Sequence, residues 1–187
     1  MNLTRRVSTR VVGGSGEELH LRQLELSDAP EMAAAYVRNR SHLAPWEPVR
    51  SEEFFTVKGQ ETVLRAKAED STAGREVSWV IIGSRGIQGA ITLTGIVRGP
   101  FQSANLGYWI DAECVGRGHA SASVAAVVSM ADEELGLHRI QAATLLHNAG
   151  SQAVLRRSGF EKIGVAPSYL QIAGGWQDHV LFQRILS

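Results

Sequence analysis

One segment in the middle of the chain limits the fold more than any other. Residues 106–110 form an apolar and aromatic run, and a turn containing Gly116 and Gly118 follows it. From Gly118 the apolar positions recur at helical spacing, which predicts a long amphipathic helix that ends at Gly136. These positions are Ala120, Val124, Val127, Val128, Ala131 and Leu135. A strand that leads through a glycine turn into a long helix is typical of a mixed α/β domain.

The remaining patterns predict further strands and helices on both sides of this segment. Helices are expected from Ser27 to about residue 40, from Ser51 to about residue 71, and from Asn148 to Arg157, with a proline-bracketed loop at 42–50. Strands are expected at 19–24, 77–82, 87–97, 106–110, 139–144, 160–165 and 179–185. This order predicts an α/β fold in which helices cover a central sheet.

Length and composition narrow the class of protein. The 187 residues fit a single domain at 17–187, preceded by a flexible leader at 1–16 that contains arginines but no apolar signal block. Nineteen basic and nineteen acidic residues give a formal charge of zero, which argues against binding to nucleic acid or to a membrane surface. No apolar run approaches the roughly 18 residues of a membrane span. The single cysteine, Cys114, excludes an intrachain disulfide and favours the cytoplasm.

The histidines do not predict a metal site. None of the six is spaced from another histidine, or from Cys114, in the way that zinc ligands are. For His147 and His179 a place beside a site is the alternative, and the pattern favours ordinary placement at the surface. We therefore expect no metal.

The glycine turn predicts an anion site. The first N–H groups of a helix have no intrahelical partner, and the helix dipole places partial positive charge there, so such a turn suits a phosphate. Gly116 and Gly118 allow an anion to approach the backbone. The chain contains neither the glycine–lysine motif of mononucleotide-binding loops nor the three-glycine motif of dinucleotide-binding folds.

The same turn resembles the pyrophosphate-binding motif of the GNAT (general N-acetyltransferase) superfamily, Arg/Gln-x-x-Gly-x-Gly/Ala. Residues 115–120 read Val-Gly-Arg-Gly-His-Ala, so Val115 stands where the family has Arg or Gln. Over residues 19–186 the chain is similar to the Rim-type subgroup, the ribosomal-protein N-terminal acetyltransferases. The motifs that carry this similarity are His-Leu-Ala-Pro-Trp-Glu-Pro at 42–48, Leu-Gly-Tyr-Trp-Ile at 106–110, Glu-Leu-Gly-Leu-His-Arg at 134–139, Asn148-x-x-Ser151 and Ser-Gly-Phe at 158–160.

This resemblance implies a fold and a donor. It implies a mostly antiparallel sheet, splayed between the strands at 106–110 and 139–144, with helices on both faces and coenzyme A in the gap. The pyrophosphate of acetyl-CoA would lie on residues 115–121. Backbone groups of Ile110 and Asp111 would meet the pantetheine arm and the acetyl carbonyl, and Asn148 would hold the pantetheine. The implied donor-binding residues are Ile110, Asp111, Val115, Gly116, Arg117, Gly118, His119, Ala120, Ser121, Asn148 and Ser151.

Acetyl transfer to an amine needs a neutral nucleophile, a donor for the developing oxyanion and a proton for the departing thiolate. Many relatives use a tyrosine as the acid, but Leu155 stands at that position, so the Rim resemblance assigns the acid to Ser151. The base stays open between Glu113, Glu47 and a water that relays the proton. Tyr108 alternates with Trp109, so that one of them reaches the cleft, and we assign Tyr108 a catalytic and a substrate-binding role.

The acceptor is expected to be the α-amine of a protein or peptide, with Trp46, Glu47, Tyr108 and Tyr169 as substrate-binding residues. An α-amine has a pKa near 8, against about 10.4 for lysine, so it needs less help from a base. A small amine is the alternative acceptor. A non-catalytic acyl-CoA-binding module is the third hypothesis, favoured by Val115, Leu155 and the missing carboxylate at 169–171. The chain is expected to be a monomer or a homodimer.

Overall fold

The computed structural model describes residues 3–9 and 16–186 and shows eight strands and five helices within them. The strands are β1 (Arg5–Ser8), β2 (Glu18–Gln23), β3 (Val77–Gly83), β4 (Gly86–Val97), β5 (Ser103–Ile110), β6 (Arg139–Leu145), β7 (Glu161–Ile172) and β8 (Gly175–Ile185). The helices are α1 (Ala29–Arg38), α2 (Arg40–Leu43), α3 (Val57–Thr72), α4 (His119–Glu133) and α5 (Ala149–Arg157).

The strands form one sheet in the order β1-β2-β3-β4-β5-β6-β8-β7, and the expected α/β class is confirmed. Every neighbouring pair is antiparallel except β5 and β6, which run parallel. Those two strands pair only at Ser103–Asn105 and Arg139–Gln141. Beyond that point β5 stays with β4 and β6 stays with β8, so the sheet splays between β5 and β6 as the resemblance implied.

Apolar side chains pack on both faces of the sheet. The larger cluster joins the sheet to α4 and α5 and includes Val127, Met130 and Leu155, all fully buried. A smaller cluster on the other face joins Met32 of α1 to Trp109 of β5. Helices therefore cover both faces, and the larger cluster contains side chains from both halves of the splayed sheet, such as Leu106 of β5 and Phe182 of β8.

Residues 3–9 of the expected leader at 1–16 belong to the sheet or contact it, whereas its residues 1–2 and 10–15 lie outside the described residues. Arg5–Ser8 forms β1, which pairs with β2 and becomes the edge of the sheet. Leu3 is buried, and its carbonyl accepts a hydrogen bond from the indole N–H of the fully buried Trp79 at 2.7 Å. The strand is only four residues long and contains two arginines, so its sequence shows no apolar pattern. It forms because its backbone pairs with β2.

Two element boundaries also differ from the sequence-based expectation. Helix α3 begins after Thr56, whose side chain accepts the Gly59 N–H, whereas residues 52–55 after Ser51 form a separate turn. The last two strands are longer than expected and meet at a tight turn at residues 173–174. The Ala173 N–H donates to the Glu47 carbonyl at 3.0 Å, so this hairpin tip closes against the proline-bracketed loop.

Candidate active site

The splay between β5 and β6 opens a cleft of about 550 Å³. Its walls come from the end of β5, the start of α4, the start of α5 and the loop at 42–46. Tyr108 packs toward the larger core cluster and Trp109 belongs to the smaller one, so their side chains lie on opposite faces of the sheet as predicted. Both nevertheless line the cleft, because it lies where the sheet separates.

At the end of β5, the backbone of Ile110 is free to face the cleft, whereas the N–H of Asp111 is paired with β4. The Asp111 N–H donates to the Gln88 carbonyl of β4 at 2.8 Å. Because successive backbone groups of a strand point in opposite directions, the peptide groups of Ile110 face the unpaired side. Ile110 thus suits the predicted contact with an extended pantetheine arm.

Asp111 itself does not fit the predicted donor-binding role. It does not line the cleft, and its carboxylate is buried, accepting hydrogen bonds from Arg38 Nε at 2.6 Å and Asn39 Nδ2 at 3.0 Å. Burial by itself would raise the pKa of Asp111, but the hydrogen bonds from Arg38 and Asn39 outweigh it and lower the pKa. Asp111 therefore ties β5 to α1, behind the cleft.

The start of α4 has the geometry of an anion site. Gly118 is the N-cap residue with φ 84°, and no side chain caps the helix. The first backbone hydrogen bond of α4 runs from the Ala122 N–H to the Gly118 carbonyl, at 2.9 Å. The N–H groups before it, at residues 119–121, are therefore available to an anion, and a Cβ at Gly116 would meet nothing within 4 Å.

Some side chains around this helix start face the cleft, and others contact neighbouring parts of the protein. Val115, Ala120 and Ser121 line the cleft. His119 also lines it but is fully buried, and its Nε2 lies 3.0 Å from Gln88 Oε1 and 3.2 Å from Glu17 Oε2. Arg117 is exposed and does not line the cleft, so its predicted donor contact is not part of this geometry.

The start of α5 brings two hydroxyl groups together. Asn148 is the N-cap residue, and its Oδ1 accepts the Ser151 N–H at 3.0 Å. This bond fixes the first turn, and the Ser151 Oγ lies 2.8 Å from the Tyr108 hydroxyl across the cleft. Burial raises the pKa of Tyr108 to about 12, so the phenol keeps its proton at neutral pH. The two predicted residues Ser151 and Tyr108 thus form one hydrogen-bonded pair.

The loop at 42–46 forms the opposite wall. Trp46 lines the cleft, and its ring lies 5.4 Å from the ring of His147, at the end of β6. His42 of α2 lines the cleft as well. The sequence pattern favoured ordinary surface placement for His147, and its approach to Trp46 depends on a contact between distant parts of the chain.

Glu47 lies beside the cleft in a smaller cavity of about 190 Å³, which shares Leu43 with it. Burial raises the pKa of Glu47, and Arg50 Nε, 3.5 Å away, offsets part of this effect. Apolar side chains, including Tyr36 and Phe55, line most of the cavity. Glu47 is thus a desolvated carboxylate next to the cleft.

Two predicted residues lie elsewhere. Glu113 does not line the cleft; its side chain is 64% exposed and forms an ion pair with Arg85. The short turn that follows β5 at residues 112–114 directs it outward, so it is poorly placed as a base. Tyr169 lies in an irregular part of β7, is exposed, and contacts the ring of His179 at 5.7 Å instead of lining the cleft.

The open strand backbone, the uncapped helix start and the hydroxyl pair fit a molecule with an extended amide arm, a pyrophosphate and a reactive thioester. The sequence pattern of the acetyltransferase (GNAT) domain family matches residues 18–161. The chain belongs to this family. It is an N-acetyltransferase, and acetyl-CoA is its donor.

Within the family the chain is similar to ribosomal-protein acetyltransferases. It is 34% identical over 167 residues to the [ribosomal protein uS5]-alanine N-acetyltransferase of Escherichia coli (strain K12), covering 88% of this chain and 86% of that one. It is 33% identical over 166 residues to the probable N-acetyltransferase YjcK of Bacillus subtilis (strain 168), covering 88% and 92%.

Solved structures show the same relation. The ribosomal-protein-S5-alanine acetyltransferase from Vibrio fischeri is similar with a TM-score of 0.85 and 35% identity, over 96% of both chains. RimJ from Mycobacterium smegmatis, in complex with CoA-disulfide, is similar with a TM-score of 0.88 and 28% identity, over 97% of this chain and 87% of that one. The predicted family, subgroup resemblance and donor are confirmed.

The described residues offer neither a candidate metal site nor a candidate membrane span. Within 3–9 and 16–186, no group of three or more His, Cys, Asp or Glu side chains is arranged to hold a metal ion. Over the same ranges no helix is long and apolar enough to cross a membrane.

Proposed function

We propose that this enzyme acetylates the N-terminal α-amine of a protein or peptide, and that a ribosomal protein is the natural acceptor. The similarity to enzymes named for the alanine of ribosomal protein uS5 supports this acceptor. Ribosomal proteins are made and assembled in the cytoplasm, so we place the enzyme there. The observation that carries the chemistry is the Ser151–Tyr108 hydroxyl pair, at 2.8 Å, inside the open cleft.

The hydroxyl pair supplies the proton that the departing thiolate needs. Ser151 donates to the sulfur, and Tyr108 donates to Ser151 in turn. A serine alone is a poor acid, but a second hydroxyl held at hydrogen-bond distance replaces its proton without rearrangement. Tyr108 performs this role at neutral pH because burial raises its pKa to about 12 and keeps it protonated.

The acceptor reaches the thioester between Trp46 and the end of β6. Trp46 gives this wall a flat apolar surface, and Glu47 places negative charge in the adjoining cavity. A peptide α-ammonium is attracted by such a carboxylate before it loses its proton.

A panel of acceptors tests this proposal. The panel contains peptides with free N-termini, the same peptides with blocked N-termini, and small amines such as polyamines and amino acids, with release of coenzyme A as the readout. We expect release with the free peptides and a loss of at least about 100-fold in kcat/KM with the blocked ones. Activity restricted to small amines would contradict the proposed acceptor and support the alternative one. Binding of acetyl-CoA with no turnover on any amine would instead support a regulatory module.

A further inference from the structure

The proposed reaction leaves one proton unassigned. When the amine attacks the thioester, the new N–C bond carries an ammonium proton that a base must remove. Among the described residues that line the cleft there is no aspartate or glutamate. The two carboxylates considered from the sequence lie elsewhere: Glu113 faces solvent, and Glu47 lies in the adjoining cavity. A different side chain must act at this point, or water alone.

Most titratable groups of the cleft are unsuited to the task. Tyr108 keeps its proton, and burial raises the pKa of the Cys114 thiol, which stays neutral. Arg157 is a permanent cation. His119 is fully buried, its Nε2 is occupied by Gln88 and Glu17, and its Nδ1 is buried too. His42 and His147 remain, and histidine is the side chain that most readily exchanges a proton near neutral pH.

His147 has the better position of the two. His147 is exposed in the turn just after β6, and its ring lies 5.4 Å from that of Trp46, the wall along which we propose that the acceptor approaches. The next residue, Asn148, fixes the first turn of α5 through the Ser151 N–H. His147 is therefore the residue next to the cap that holds Ser151, and its ring contacts Trp46.

We infer that the His147 imidazole is the general base that removes the proton from the attacking amine. This inference rests on the proposed function. The amine nitrogen forms a bond to the acetyl carbon, the ammonium proton passes to the imidazole, and the C–S bond breaks with its electron pair on sulfur. The thiolate takes a proton from the Ser151–Tyr108 pair. The imidazolium then returns its proton to water, and water restores the proton of the hydroxyl pair, so the enzyme is regenerated. No oxidant, reductant or metal is needed for the balance.

Chemical rescue tests the inference. We expect His147→Ala to lower kcat with a free peptide by roughly 100-fold or more, the usual contribution of a general base. Imidazole added to the assay should raise the kcat of this variant at least about tenfold, because the vacated site is open to solvent. Calorimetry should show unchanged affinity for acetyl-CoA. His138→Ala, which replaces an exposed histidine outside the cleft, is the matched control and should behave as wild type with and without imidazole.

Three results would overturn the inference. One is a kcat of His147→Ala within about threefold of wild type. Another is a loss that imidazole does not restore in a variant that still binds acetyl-CoA, which would make His147 only a support for Trp46. The third is a loss and rescue in His42→Ala in place of His147→Ala. Failure of the proposed acceptor gives a different result, since the wild-type enzyme would then release no coenzyme A with peptides, and the same comparison would be made with the small amine it does acetylate.

Discussion

The Tyr108 and Ser151 hydroxyls come from elements that are far apart in sequence but meet across the cleft. Tyr108 is held by the pairing of β5 with β4, and Ser151 by the Asn148 cap of α5. Both groups are thus fixed before the donor binds. Such preorganisation is what allows a weak acid to act on a leaving thiolate.

We expect Ser151→Ala to lower kcat by roughly 100-fold, because the thiolate then leaves without a proton donor. The affinity for acetyl-CoA, measured by calorimetry, should change little, since the phosphate site lies on another helix. Tyr108→Phe should give a smaller loss, and adding it to Ser151→Ala should give little further loss, because the two hydroxyls act as a unit.

Ser129→Ala is the matched control, since Ser129 lies on α4 outside the cleft and donates to Glu133. It should retain wild-type turnover. An unchanged kcat in Ser151→Ala would remove Ser151 as the acid.

At the residue scale, the sequence predicts the parts of the site that depend on local spacing and misses the contacts between distant segments. Asn148 is predicted as a cap because a cap and the first turn of its helix are adjacent in sequence, and Ser151 comes from the resemblance to the Rim-type subgroup. The partnership of Ser151 with Tyr108, and the approach of His147 to Trp46, depend on strand order and are not visible in spacing. The choice of Glu113 as a base is unsupported because the short turn after β5 directs that side chain to Arg85.

Among the elements, we expect the start of α4 to set the affinity for the donor. Gly118 is left-handed, at φ 84°, and the helix behind it has no side-chain cap. A left-handed residue with a side chain costs about 1–2 kcal/mol, so the glycine is needed for this turn to present its N–H groups.

Gly118→Ala should therefore weaken acetyl-CoA binding by roughly tenfold, because strain moves the N–H groups away from the pyrophosphate. The matched control is Gly136→Ala, just beyond the other end of α4. Gly136 has φ 57°, and a Cβ there meets nothing within 4 Å. It should cost similar stability while calorimetry shows unchanged affinity. Equal affinity in the two variants would contradict the assignment of the phosphate site.

A second link between elements joins α1 to β5 behind the cleft. Arg38 donates to Asp111 at 2.6 Å and to the Ile87 carbonyl at 2.7 Å, so it connects the helix with two strands. The pKa of Asp111 is lowered in the folded state, which means that its stabilising effect is present above the unfolded value, near 3.9. This effect is lost as pH falls through the folded pKa.

We expect Arg38→Met to lower the free energy of unfolding by about 2–3 kcal/mol at pH 7, less than for a fully buried pair because Arg38 is partly exposed. The difference from wild type should shrink in strong acid, where Asp111 is protonated. Urea unfolding at the two pH values measures both effects.

The control is Arg85→Met, which removes an exposed pair with Glu113 and should leave the free energy of unfolding nearly unchanged. A deficit of Arg38→Met that is the same at neutral and acid pH would show that charge is not its cause.

At the scale of the molecule, the described residues form one sheet of eight strands, which carries the core on two faces and the cleft at the parallel junction of β5 and β6. The fold class and most elements are predictable because the apolar period changes clearly from strand to helix. Strand β1 is not, since its four residues are ordered by the neighbouring edge. Whether residues 17–187 act as one domain and whether the chain is a monomer or a homodimer stay predictions.

A variant that lacks residues 2–9 should be less stable than the full chain. It leaves the buried Trp79 N–H without the Leu3 carbonyl, which costs about 1–3 kcal/mol, and it exposes the edge of β2. Thermal unfolding followed by circular dichroism measures the change in Tm. Arg6→Ala, which removes only an exposed pair with Glu18, should leave Tm nearly unchanged. An unaltered Tm in the truncated variant would mean that the segment is a loose leader after all.

The central claim is that the cleft between β5 and β6 transfers acetyl to a peptide α-amine. The most direct measurement incubates the wild-type enzyme with acetyl-CoA and a peptide that has a free N-terminus and an internal lysine, then locates the acetyl group by fragmentation mass spectrometry. The account predicts acetyl on the α-amine alone and none on the same peptide with a blocked N-terminus. Acetyl on the lysine, or transfer only to small amines, would contradict it.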